Sequence, residues 1–231
     1  MEGNKSNLKF STRDIAISGV LLTFILLFVF VPFKIGFVDM AFIPLLAIYI
    51  GCQVVGGKVG IFLATAFGLA SLLATVVRPT VLSPLFYNPM VSVVPRIMIG
   101  ITTYFSYVGL RRLAILIGKR KGKLLDKRMS ILVSSSLSSV IGTLTNTGLV
   151  LGMLAAFNFG KTISGIAIDG AFFAMLISVN FIIEVCVAAI VTPWIVLALR
   201  KALHLSEPED DFAHISKNKR TVLETEVKNL D

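Results

Sequence analysis

The chain has 231 residues, of which 55% are hydrophobic and 15% charged, and its formal net charge is +9. A soluble domain of this length needs far more charged surface, and the mean hydropathy of +0.87 excludes one. Two cysteines and two histidines exclude a disulfide framework and offer no metal-ligand spacing, so neither metal nor cofactor is expected.

In chain order, residues 1–14 read as a short cytoplasmic N-terminus. The first residues are polar, and the long apolar run after them lacks a small-residue cleavage site. A retained first span is therefore expected, not a removed signal peptide. Six apolar segments follow, at 15–31, 40–55, 59–77, 87–110, 130–157 and 171–203. Several reach the ~20 residues that cross a ~30 Å hydrocarbon core as helix, and the second is the shortest. Gly56 and Gly57 predict a tight turn into the third segment, and Pro32, Pro79 and Pro84 punctuate loops. The expected fold is an all-α integral membrane protein, a compact bundle of six transmembrane helices over residues 15–203. A polar, mixed-charge tail at 204–231 completes the chain.

Lys and Arg divide unequally between the two sides. One side receives Lys5, Lys9, Arg13 and Lys58, the basic loop 111–129 from Arg111 to Arg128, and then Arg200 and Lys201. The other receives Lys34, Arg78 and Lys161. The positive-inside rule then puts both termini in the cytoplasm and the protein in the plasma membrane as a multi-pass chain. Topology, with contact to anionic lipid, accounts for the basic loop, so no nucleic-acid partner is expected.

No enzyme is expected. Gly160-Lys161-Thr162 imitates the end of a nucleotide-binding loop, but the first glycine of that motif should fall at Ala155, and no strand precedes it. His204 and His214 lie at or beyond the last span, so an intramembrane histidine site is excluded.

Charged groups deep in a bilayer cost at least ~3 kcal/mol on insertion scales, which usually gives them partners and uses. Arg96 lies about nine residues, or ~14 Å at ~1.5 Å per residue, inside the fourth segment. Glu184 lies at a similar depth in the sixth, with Asn180 one turn above it on the same face. In the fifth, Ser135, Ser139, Thr143 and Asn146/Thr147 recur at helical spacing. The bland reading is glue between helices for the hydroxyls and a structural ion pair for Arg96 and Glu184. The functional reading is a solute pocket in the outer half, touched by Arg96 or Asn146. Pro89 and Pro95 free backbone carbonyls near that level. The loop "VVRPTVLSPLFYNP" supplies Arg78, Tyr87 and Asn88 as a cover. Its bland reading is an interfacial belt.

Three stretches resemble the substrate-binding S components of energy-coupling factor (ECF) vitamin transporters. "VGGKVGIFLATAFGLASLLATVVRPTVLSPLFYNP" resembles the family's third helix and following loop. "VVPRIMIG" resembles its Pro-Arg-x-x-x-Gly segment. "GTLTNTGLVLG" with "SVNFIIEVCVAAIVTPWIV" resembles its fifth and sixth helices. Thr145-Asn146-Thr147 and Asn180–Glu184 are most similar to pantothenate-type members. The resemblance implies a subunit that captures a vitamin outside and delivers it with a transmembrane coupling subunit and two ATPases. Pantothenate is favoured; cobalamin, riboflavin or another vitamin stays open. It also implies docking through a small-residue face on the first helix, here Ala16, Ser18, Gly19 and Thr23. A stand-alone secondary carrier or small channel is the alternative, although the inverted repeats that mark carriers are not found in the sequence.

Overall fold

The computed structural model describes residues 12–31, 34–35, 38–39, 42–80, 82–120, 127–163, 165–178 and 180–203. The N-terminal residues 1–11, the loop centre 121–126 and the tail 204–231, with both histidines, lie outside the described residues. The chain divides into two units, Met1–Leu197 and Ala198–Asp231. Of the second unit, residues 198–203 are described.

The first helix, α1, runs Thr12–Phe30, and a two-residue antiparallel hairpin, β1 Lys34–Ile35 with β2 Val38–Asp39, follows it. α2, Phe42–Ile50, leads without a break into a π-helical turn, Gly51–Val55. Gly56 reverses the chain at φ 131°, donating its N–H to Gly51 O at 3.0 Å, a conformation that favours glycine. α3 then runs Gly57–Val77. Two single-turn helices, α4 Ser83–Phe86 and α5 Pro89–Ser92, precede the long α6, Val94–Arg120. α7 runs Lys127–Asn158, a second hairpin pairs β3 Thr162–Ile163 with β4 Ile166–Ala167, and α8 Gly170–Ser178 and α9 Asn180–Ala202 finish the described chain.

Among the described residues, five helices are long and apolar enough to cross a membrane: Thr12–Phe30, Gly57–Val77, Pro89–Ala114, Arg128–Asn158 and Phe181–Ala202. Large apolar side chains on all five, such as Phe24, Phe62, Phe105, Leu137 and Trp194, face outward. A hydrocarbon solvent makes that arrangement favourable. The all-α membrane class holds, with the two small hairpins as its only described strands. Of the six expected passes, five are full-length helices among the described residues. The second segment is the 14-residue stretch Phe42–Val55, only ~21 Å long at ~1.5 Å per residue. Its Leu45, Ala47, Ile48, Tyr49 and Ile50 are all buried. In the sequence this segment is the shortest pass, and its packing encloses it among other helices.

Small residues set the helix spacings. A Cβ on Gly60 of α3 would overlap Cys52 Sγ in the π turn, and one on Gly100 of α6 would lie 2.9 Å from Ala64 Cβ. Gly142 of α7 abuts Thr103 of α6 and the ring of Tyr49. α6 and α7 form the most extensive helix pair. Close backbone approach of this kind is how helices associate where lipid removes the hydrophobic drive. At one end of the bundle a separate apolar cluster, Leu85, Val91, Leu154 and Ile168, ties α4 and α5 to the end of α7 and to the second hairpin. It braces the segment that follows Arg78.

Gly160-Lys161-Thr162 follows the end of α7 and enters β3, so a helix and not a strand precedes it. That is the wrong order for a nucleotide-binding loop.

Candidate functional site

A cavity of about 380 Å³ opens beside the start of α6. This is within the ~300–1,000 Å³ range of small-molecule sites. α3 supplies one wall through Phe67, Ser71, Ala74, Thr75 and Arg78; Phe28 and Val29 of α1, Pro44 of α2 and Arg96 of α6 supply others. Thr80, Leu82, Ser83 and Phe86 close it from the loop and α4. The cavity therefore combines two guanidiniums, four hydroxyls and an apolar lining that includes three phenylalanines.

Arg96 is held by its neighbours on α3 and α5. Pro95 has no N–H to offer the carbonyl four residues back, Val91 O. Arg96 Nη1 donates to that oxygen at 3.1 Å. Its Cζ lies 5.8 Å from the centroid of the Phe67 ring. Its Nε is buried and has no hydrogen-bond partner among the described residues. Glu184 lies on α9 and is half-buried.

Asn146 lies close to the same level. Arg111 Nη1 on α6 donates to Ser130 Oγ on α7 at 3.2 Å, and Thr103 meets Gly142 further along. One more helical turn in this antiparallel register brings Asn146 to about the height of Ile99 and Arg96. Asn146 Oδ1 is buried and has no partner among the described residues. One donor and one acceptor are therefore left over about one helical turn apart in height, and buried polar groups are seldom left so.

Other residues singled out from the sequence fall elsewhere. Arg78 ends α3 at the cavity wall, exposed, its backbone N–H bonded to Ala74 O at 2.9 Å. Asn88 caps α5, its Oδ1 accepting from the Met90 N–H at 3.0 Å. Tyr87 is exposed beside it, and the cavity lining includes neither. Asn180 begins α9 one turn from Glu184, and its side chain lies outside the described residues. On α1, Ala16, Gly19 and Thr23 are exposed, whereas Ser18 turns inward and donates to Asp14 O.

The hydroxyl stripe of α7 meets Gln53 of the π turn. Gln53 Nε2 donates to Ser138 Oγ at 3.1 Å and to Ser139 Oγ at 2.9 Å, and Ser135 Oγ donates to Gln53 Oε1. Thr143 Oγ1 and Tyr49 OH share a bond of 2.8 Å. These contacts tie α2 and its π turn to α7.

Of the α3 wall, the sequence reading gives only Arg78. Its signal is in the sequence: Phe67, Ser71, Thr75 and Arg78 recur every three or four residues, a polar stripe on an otherwise apolar helix. Reading backward from Arg78 at helical spacing would have found it.

No protein-family model matches the chain. The chain is similar to the pantothenic acid transporter PanT of Lactococcus lactis subsp. cremoris (strain MG1363), with 29% identity over 171 residues, 68% of this chain and 76% of that protein. This relative supports the resemblance to pantothenate-type transporters read from the sequence.

Proposed function

We propose that this chain is the high-affinity vitamin-binding S component of an ECF-type importer, with pantothenate as its solute. The observation that carries the reading is the cavity with two guanidiniums, in which the buried Nε of Arg96 has no partner among the described residues. Pantothenate presents a carboxylate at one end, an amide in the middle and two hydroxyls at the other. Arg96 takes the carboxylate, since a planar fork of donors suits that group. Arg78, exposed at the wall, draws the anion in. Ser71, Thr75, Thr80 and Ser83 offer hydroxyls to the diol end. Asn146, with Asn180 and Glu184 on α9, completes the deep side, and Tyr87 and Asn88 belong to the cover. Similarity to a pantothenic acid transporter supports the same solute.

In this reading the membrane domain is 15–203, both termini and the basic loop 111–129 are cytoplasmic, and the tail 204–231 is a cytoplasmic end. The short helix Phe42–Val55 makes the second of six passes inside the bundle, and the cavity opens outward. Ala16, Gly19 and Thr23 form the face that receives the coupling subunit, which works with two ATPases.

The test is direct. Purified protein should bind pantothenate saturably, and the tagged chain should bring down the coupling subunit and both ATPases. Liposomes holding this chain alone should take up none. Uptake by the solitary protein would establish a secondary carrier instead.

A further inference from the structure

We propose that Phe67 is the positioning residue that fixes the Arg96 guanidinium for an anionic ligand, and so sets the preference of the cavity for a carboxylate over a neutral solute. This rests on the reading of the cavity as the pantothenate site. Phe67 is buried, lines the cavity, and lies under the guanidinium with Arg96 Cζ 5.8 Å from its ring centroid.

The next residue on α3 fixes the stem. A Cβ on Gly68 would stand 3.1 Å from Val93 Cα and 3.3 Å from Arg96 Cβ, so the α3 backbone abuts the base of the arginine. The Val91 carbonyl holds Nη1 at 3.1 Å. Stem, one terminal nitrogen and one face are thereby occupied.

The geometry matters because a guanidinium's donors lie in its plane. An aromatic ring attracts the cation through its face and consumes none of those donors. The edge that carries Nε, which has no partner among the described residues, is left for a carboxylate. A hydrogen-bonding side chain at 67 would compete for that edge. An aliphatic one would leave the face of the long arginine unheld. An aromatic ring holds the cation by its face while leaving its edge free.

The experiment measures the ratio of two affinities in the purified full-length protein: that for pantothenate, and that for panthenol, the alcohol without the carboxylate. Phe67→Leu removes wall contact from both ligands but cation–π support only from the site of the anion. The ratio should fall about five- to thirtyfold in Phe67→Leu and stay within about threefold in Phe67→Tyr. A series of fluorinated phenylalanines at position 67 weakens the ring's negative face at nearly constant size. There the ratio should decline stepwise with each fluorine, a readout independent of how well the leucine variant folds. A ratio that stays flat across the series, while wild type binds pantothenate, overturns the positioning role and leaves the functional reading intact. Wild type that binds no pantothenate overturns both.

Discussion

The polar groups around Gln53 and those around Arg96 lie in one bundle, yet their hydrogen bonding differs. Around Gln53 three serines of α7 bond to both ends of one amide, and Tyr49 and Thr143 bond to each other. Around Arg96, the arginine Nε and the Asn146 Oδ1 are buried without partners among the described residues. In a medium that offers no water, a satisfied cluster joins helices and an unsatisfied one has capacity to spare. The difference separates glue from site, although both read as polar residues at helical spacing.

The comparison breaks first at Gln53. Gln53→Leu should remove three interhelical bonds, each worth ~0.6–1.7 kcal/mol in membranes, for a total of ~2–5 kcal/mol. Denaturation in mixed micelles should record that loss. Pantothenate affinity of the protein that remains folded should not change. Should affinity fall in proportion to stability, the cluster belongs to the site and the distinction collapses.

Arg96 should show the reverse pattern. Arg96→Gln retains a donor for Val91 O but loses the charge. Binding should weaken about ten- to a hundredfold, the ~1.5–3 kcal/mol of a charge-assisted bond. The double replacement Arg96→Met with Glu184→Gln removes both charges together and should fold while binding poorly. Wild-type affinity in either folded variant would remove Arg96 from the site.

Asn146 sharpens the contrast at smaller scale. Its Oδ1 has no partner among the described residues, so Asn146→Leu should cost no stability and add up to ~1 kcal/mol, because a stranded acceptor disappears. Pantothenate binding should still drop, by about fivefold for one neutral bond near ~1 kcal/mol. Titration and melting of the same preparation decide it. Lower stability with unchanged binding would move Asn146 from the site to the glue.

How far the sequence showed this follows from what each signal depends on. Span length and apolarity are local, so the membrane class was legible throughout. The serine stripe was legible too, but its partner was not. Gln53 sits in a run, Gly51–Val55, whose π turn no spacing rule announces. Arg96 stood out as a charge among apolar residues, and Pro95 beside it marked a freed carbonyl. Phe67 and Ser71 passed unnoticed because an aromatic and a serine on a membrane helix look like packing until a cavity lies in front of them. The second segment, already the shortest in the sequence, shows the converse. Apolarity marks both lipid contact and burial, and only packing against α1, α3 and α6 tells the two apart for Phe42–Val55.

The smallest effect concerns a second proline. Pro193 of α9 frees Ala189 O in the way Pro95 frees Val91 O. Here the donor comes from a neighbouring helix, Ser136 Oγ at 2.8 Å. The donor is neutral and the carbonyl is satisfied, so this proline falls on the glue side of the comparison. Ser136→Ala should cost ~0.5–1 kcal/mol and leave binding alone. Pro193→Ala restores an N–H for Ala189 O within α9, so Ser136 should become redundant there. In a double-mutant cycle the serine's contribution should shrink toward zero in the Pro193→Ala background. An undiminished cost in that background would show that Ser136 acts through packing against α9, and that the freed carbonyl is not what it serves.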